Sequence, residues 1–152
     1  MPSYLEDFHV GQVERFGAYP VTRDEVLDFA GRFDPQPFHL DDDAAAASAI
    51  FGRLSASGWH TAAMTMRMLV DHNQALDRQT LGSPGIDEIR WLRPVYPGDT
   101  LRVETEVIEV RPSASRPTMG IVRLRLTTYN QQGEPVMRQV GANFQPRRPA
   151  AA

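Results

Sequence analysis

An α+β domain, with an antiparallel curved sheet wrapped around one long central helix, is the fold class that this sequence predicts. Two observations carry the prediction. Residues 58 to 76 hold apolar side chains at helical spacing, whereas the segments after residue 85 change to the two-residue period of strands. Three or four of those strand segments follow consecutively. No internal repeat or interdomain linker interrupts the chain, and 152 residues suffice for one domain with its own core. Sheet and helix can then each bury the other's apolar face.

Taken in order, Val13 to Ala18 reads as a short first strand, entered through Gly11 and closed by Pro20. Thr22-Arg23-Asp24-Glu25 has the form of a capping box, and Val26, Leu27, Ala30 and Phe33 continue at helical spacing. Asp34-Pro35-Gln36-Pro37 stops that helix, because a residue before proline is pushed out of the α region. Asp41, Asp42 and Asp43 open a short alanine-rich helix with carboxylates at its positive end. Ser57 is an N-cap for the long helix Gly58 to Leu76, whose apolar stripe is Trp59, Ala62, Ala63, Met66, Leu69 and Val70. That stripe is expected to face the sheet.

Gly82-Ser83-Pro84-Gly85 reads as a loop, Ile86 to Arg93 as a strand, and Pro94 to Asp99 as a turn. Leu101, Val103, Thr105 and Val107 alternate with charged residues, as do Val122, Leu124, Leu126 and Thr128 with arginines and a threonine. Asn130 to Gly133 forms a turn, and Val136 to Phe144 returns as the last strand. The domain is expected to span residues 1–145, with 146–152 a disordered tail.

Composition excludes several chemistries. A net charge of −3 offers no basic footprint for nucleic acid. No run approaches the roughly 20 apolar residues of a membrane span, and the first residues lack the pattern of a signal peptide, so a cytoplasmic location is expected. The chain has no cysteine, which removes disulfides, thiolate catalysis and cysteine-ligated zinc. All 16 basic residues are arginine, so Schiff-base lysines and lysine-dependent phosphate loops are excluded too. No G-x-G-x-x-G segment follows a strand, and no H-x-x-x-H pair lies on one helix, so neither nucleotide cofactor nor metal is expected.

The densest chemical signal is Phe33-Asp34-Pro35-Gln36-Pro37-Phe38-His39-Leu40-Asp41. Two prolines stiffen the backbone between a carboxylate and an imidazole. Such a pair in partly dry surroundings suits acid–base work near neutral pH. The plainer alternative is an Asx-type turn at Asp34 and an ordinary histidine at the start of the next helix. His60 lies two residues into the long helix, where it lines the pocket or simply packs. His72 suits the negative helix end, and His9 the surface. Met64, Met66 and Met68 are read as core packing, since alternate helix positions point in different directions.

Asp34 and His39, with Pro37 two residues before the histidine and Asp41 after it, resemble the D-x4-H hydratase motif of MaoC-like dehydratases and (R)-specific enoyl-CoA hydratases. The order of later segments is similar as well: Ser57-Gly58-Trp59-His60 at a helix start, then Arg93-Pro94-Val95-Tyr96-Pro97-Gly98-Asp99. The resemblance covers roughly residues 10 to 145 and implies a hotdog fold. It implies a lyase in which Asp34 and His39 activate water, Gly58 N–H stabilises an enolate oxygen, and Ser57, Trp59 and Phe38 contact substrate. The substrate would be an acyl-CoA or acyl-carrier thioester, with no separate cofactor, and the assembly a homodimer or a dimer-built hexamer. The sequence departs from the family in having Ser57 where many members have histidine, and Met66 beside Thr65 where a hydroxyl is common. A hotdog thioesterase and a non-catalytic acyl-thioester-binding subunit are the alternatives.

Overall fold

The computed structural model describes residues 3–151. Strands β1 (Val13–Pro20), β2 (Gly82–Trp91), β3 (Thr100–Pro112), β4 (Met119–Tyr129) and β5 (Pro135–Pro146) form one sheet in the order β1-β3-β4-β5-β2. All four pairings are antiparallel. Helices α1 (Arg23–Phe33), α2 (Asp42–Ala46) and α3 (Gly58–Ala75) all fall between β1 and β2, with a 3₁₀ turn at Pro37–His39 separating the first two. The curved sheet holds α3 against β1 and β3, which is the α+β arrangement the sequence predicts.

The β3 alternation is observed as expected: Leu101, Val103, Thr105 and Val107 are buried while Arg102 is exposed and Glu104 and Glu106 are only half covered. Val26, Leu54, Met64, Met68, Leu101, Val103, Val136 and Met137 belong to one buried apolar cluster under α3. A smaller cluster of Leu5, Phe8, Val107 and Val122 closes the far end of the sheet.

Three expectations need correction. Most of the apolar stripe of α3 does not face the core: of its residues only Leu69 is buried, and Ala62 packs against the core half-covered. The buried face is His60, Thr61, Met64, Thr65, Met68 and Leu69, whereas Trp59, Ala63, Met66 and Val70 are exposed. The helical period is right but the buried face is rotated from the predicted one, and threonine hydroxyls on the inner face are paired internally. Thr65 donates to the carbonyl of Thr61 at 2.9 Å and shares a 2.7 Å hydroxyl contact with Thr128 on β4. Pairing of this kind makes a buried hydroxyl cheap enough to keep inside.

The second correction concerns residues 82–85. They belong to β2 rather than to a loop, pairing with Ala142 and Phe144 of β5 through register shifts. Gly82 and Gly85 have φ of 116° and 148°, so the glycines that look like loop punctuation are bulge positions. Pro84 is tolerated because β2 is an edge strand with a free side. Third, the tail begins later than expected. Pro146 still pairs with Met119, Arg147 N donates to Thr118 O at 2.8 Å, and Arg147 and Arg148 bond Glu6 and Asp7.

Replacing Thr65 by valine leaves the Thr128 hydroxyl buried without its partner, at a cost of about 1–3 kcal/mol in urea unfolding. The double replacement, Thr65→Val with Thr128→Val, should cost less than the two single losses added together.

Candidate active site

The site is assembled from the ends of two helices and the turn between them. Asp34 is the C-cap of α1, and its N–H closes the helix on Ala30 O at 2.9 Å. Pro35 and Pro37 then keep Asp34 and Gln36 out of the α region, with Gln36 extended, and Pro37 opens the 3₁₀ turn that delivers His39. His39 is 3 % exposed. Its Nδ1 lies 2.8 Å from the carbonyl oxygen of Ser55, an acceptor only, so Nδ1 carries the proton. In the neutral ring, Nε2 therefore presents a lone pair, and it sits 3.5 Å from Asp34 Oδ2. The spacing of five residues brings the carboxylate and the imidazole together as the sequence suggests.

Asp34 has its own supports. Gln36 Nε2 donates to Oδ1 at 2.6 Å, and the Ser57 hydroxyl lies close enough to favour the ionised carboxylate. Burial pushes its carboxyl up, but the side-chain hydrogen bonds, and the positive charge that His39 carries when protonated, outweigh that and hold it below its ordinary value. Ser57 also accepts from Trp59 N at 3.2 Å as the N-cap of α3, so one hydroxyl links the helix start to the carboxylate.

Gly58 is the first residue of α3, where the backbone N–H has no intrahelical acceptor and the helix dipole is positive. It borders an open cleft of about 390 Å³ lined by Asp34, His39, Phe51, Gly58, Trp59 and Trp91, among others. A carboxylate, an imidazole lone pair and a free amide N–H thus border one mostly apolar cleft, the arrangement needed to move a proton and to stabilise a developing oxyanion.

The structure brings Asp34, His39, Gly58 and Trp59 to the cleft. It does not bring Ser57 or Phe38 there as substrate contacts. Ser57 is fully buried, and its oxygen is committed to capping α3. Phe38 packs edge-on against His39 at 4.6 Å and stacks on Phe51 at 4.9 Å, so it supports the imidazole from behind. Residues that sequence reading missed are Gln36, the Ser55 carbonyl and Trp91. Gln36 sits inside the motif and was legible as an amide beside the carboxylate. The other two depend on tertiary contact.

His60 takes the packing role. Its Nε2 lies 3.1 Å from Glu25 Oε1, and Phe29 stacks on the ring at 4.7 Å. Glu25 also accepts from the Tyr19 hydroxyl at 2.5 Å. Burial and the Glu25 carboxylate raise the Tyr19 phenol to about 12. Only half of the expected capping box forms: Thr22 Oγ1 accepts from Glu25 N at 3.3 Å, but the Glu25 carboxylate is drawn to Tyr19 and His60. His72 stacks on Phe16, and His9 is exposed.

A depressed carboxyl stabilises the fold above its unfolded pKa, and that contribution fades as pH falls through the folded value. The thermal midpoint of the wild type should therefore drop towards that of Asp34→Asn as pH falls below the ordinary aspartate value of 3.8. A gap between them that stays constant with pH would contradict the assignment.

Comparison with known proteins gives the family. The MaoC-like domain family matches residues 7–130. The crystal structure of a MaoC-like dehydratase from Rhodospirillum rubrum is similar with a TM-score of 0.83 and 44% identity, covering 97% of this chain and 99% of that one. An (R)-hydratase from A. caviae involved in PHA biosynthesis is similar with a TM-score of 0.71 and 25% identity, covering 93% and 99%. A mesaconyl-CoA hydratase from Cereibacter sphaeroides shares 48% identity over 56 residues, which is 37% of this chain and 16% of that protein. With this match, this sheet and this helix, the chain belongs to the MaoC-like domain family of hotdog-fold hydratases and dehydratases.

Proposed function

We propose that the protein adds water across the double bond of a trans-2-enoyl thioester, or removes it from the 3-hydroxyacyl thioester in the reverse direction. The observation that carries this reading is the 3.5 Å approach of His39 Nε2 to Asp34 Oδ2 at the cleft that Gly58 also borders. Water held by that pair adds its oxygen to C3 of the acyl chain. Its proton passes to the pair, and a proton returns from the pair to C2, so the thioester keeps its leaving group. Between the two events negative charge rests on the thioester oxygen, where the Gly58 N–H at the positive end of α3 is the donor. CoA is favoured over a carrier protein as the thiol because the mesaconyl-CoA hydratase of C. sphaeroides shares sequence with this chain.

We also infer a homodimer. The edge strand β2 has an unpaired side and an exposed Ile86, and α3 turns Met66 and Val70 outward. Edge pairing between two copies would satisfy the strand and cover apolar surface.

The test mixes the purified protein with a panel of trans-2-enoyl-CoAs, short, long, branched and dicarboxylic, and follows loss of the conjugated absorbance beside a thiol reagent. Loss of conjugation without free thiol is expected. Asp34→Asn and His39→Ala should each lower the rate by at least about 10²-fold, the scale of a lost acid–base group. Thiol release would instead assign a thioesterase. No reaction with any thioester, from a protein that sediments as a folded dimer, would favour a binding subunit.

A further inference from the structure

Trp91, the last residue of β2, is not used by the chemistry proposed above, yet it touches the site directly. Its Nε1–H donates to the carbonyl oxygen of Gly58 at 2.8 Å. The indole also lies flat enough against the glycine that a Cβ built at position 58 would sit 2.5 Å from Trp91 Cε2 and 2.7 Å from Cδ2 and Nε1. Gly58 has no positive φ. Alanine would otherwise be the better helix residue, so the indole is what reserves this position for glycine. Trp59 meets the same ring edge-to-face at 5.1 Å, and both indoles line the cleft.

We propose that Trp91 is a positioning residue for the Gly58 donor, a role that rests on the hydratase reading. The peptide on one side of Gly58 is held by Thr61 N, which donates to Ser57 O at 3.1 Å. Trp91 holds the peptide on the other side through the Gly58 carbonyl. With both flanking peptides fixed, the Gly58 N–H direction is set before substrate arrives. The indole further covers the glycine from water, which strengthens any charge the N–H meets. Only a glycine allows this approach, and only a ring with an N–H can both cover and hold it.

The test is a double-replacement cycle on positions 58 and 91, with Trp91→Phe as the conservative arm. Trp91→Phe keeps the aromatic cover and loses one neutral hydrogen bond, so kcat should fall about 3- to 10-fold with KM within twofold. Gly58→Ala should lower both the melting temperature and kcat when Trp91 is present. In the Trp91→Ala background the same change should no longer lower the melting temperature, and its further effect on kcat should shrink to within twofold. An unchanged kcat in Trp91→Phe, or a Gly58→Ala effect on kcat that is the same in both backgrounds, overturns the positioning role. If the wild type itself hydrates no thioester, the functional reading fails and takes this role with it. A wild type that works but is indifferent to position 91 sinks only the role of Trp91.

Discussion

The bond from His39 Nδ1 to the Ser55 carbonyl joins the two chain segments that make the site. One segment is the proline-stiffened turn after α1, and the other is the buried stretch Leu54 to Ser57 that leads into α3. Because the acceptor is a carbonyl, the bond also selects the tautomer, leaving Nε2 to face Asp34. The same stretch supplies Ser57, which caps α3 and whose hydroxyl helps lower the Asp34 carboxyl. Carboxylate, imidazole and helix N-terminus are thus referred to one short buried segment, and a shift of that segment would move all three. Preorganisation of this kind is what a reaction with a developing oxyanion requires.

A second constraint comes from the inner face of α3. His60, Thr61 and Thr65 are buried on it, each committed to a partner or packed beneath a ring or strand. Glu25 is shared between Tyr19 at the end of β1 and His60 on α3, which ties α1, and so the helix that ends at Asp34, to the central helix. Arg23 adds a paired contact to Asp42 and thereby holds α2 to α1. Polar links therefore fix the helices relative to one another, while Leu101, Val103, Val136 and Met137 provide the apolar floor.

Much of this was legible in the sequence because it depends on local spacing. Asp34 and His39 are bound into one rigid turn by Pro35 and Pro37, so their meeting needs no long-range information. Gly58 was legible as the residue after an N-cap. The strand alternation from Leu101 to Val107 was also plain. The rotation of α3 was not, because Trp59, Ala63, Met66 and Val70 of the face that looks like core are turned outward, while threonine hydroxyls are paired inside. The resemblance implies substrate contacts for Ser57 and Phe38, but sequence shows adjacency to a site, not the side from which a residue approaches it. Trp91 lies 33 positions beyond Gly58, and only the folded sheet puts its indole over that glycine.

The most direct measurement of the central claim is isotopic. The protein is incubated with a trans-2-enoyl-CoA that it consumes, in water enriched in ¹⁸O, and the products are read by mass spectrometry. The account predicts one ¹⁸O in the hydroxyl at C3 of an acyl chain still joined to CoA. Label in a free carboxylate, with CoA released, would contradict it.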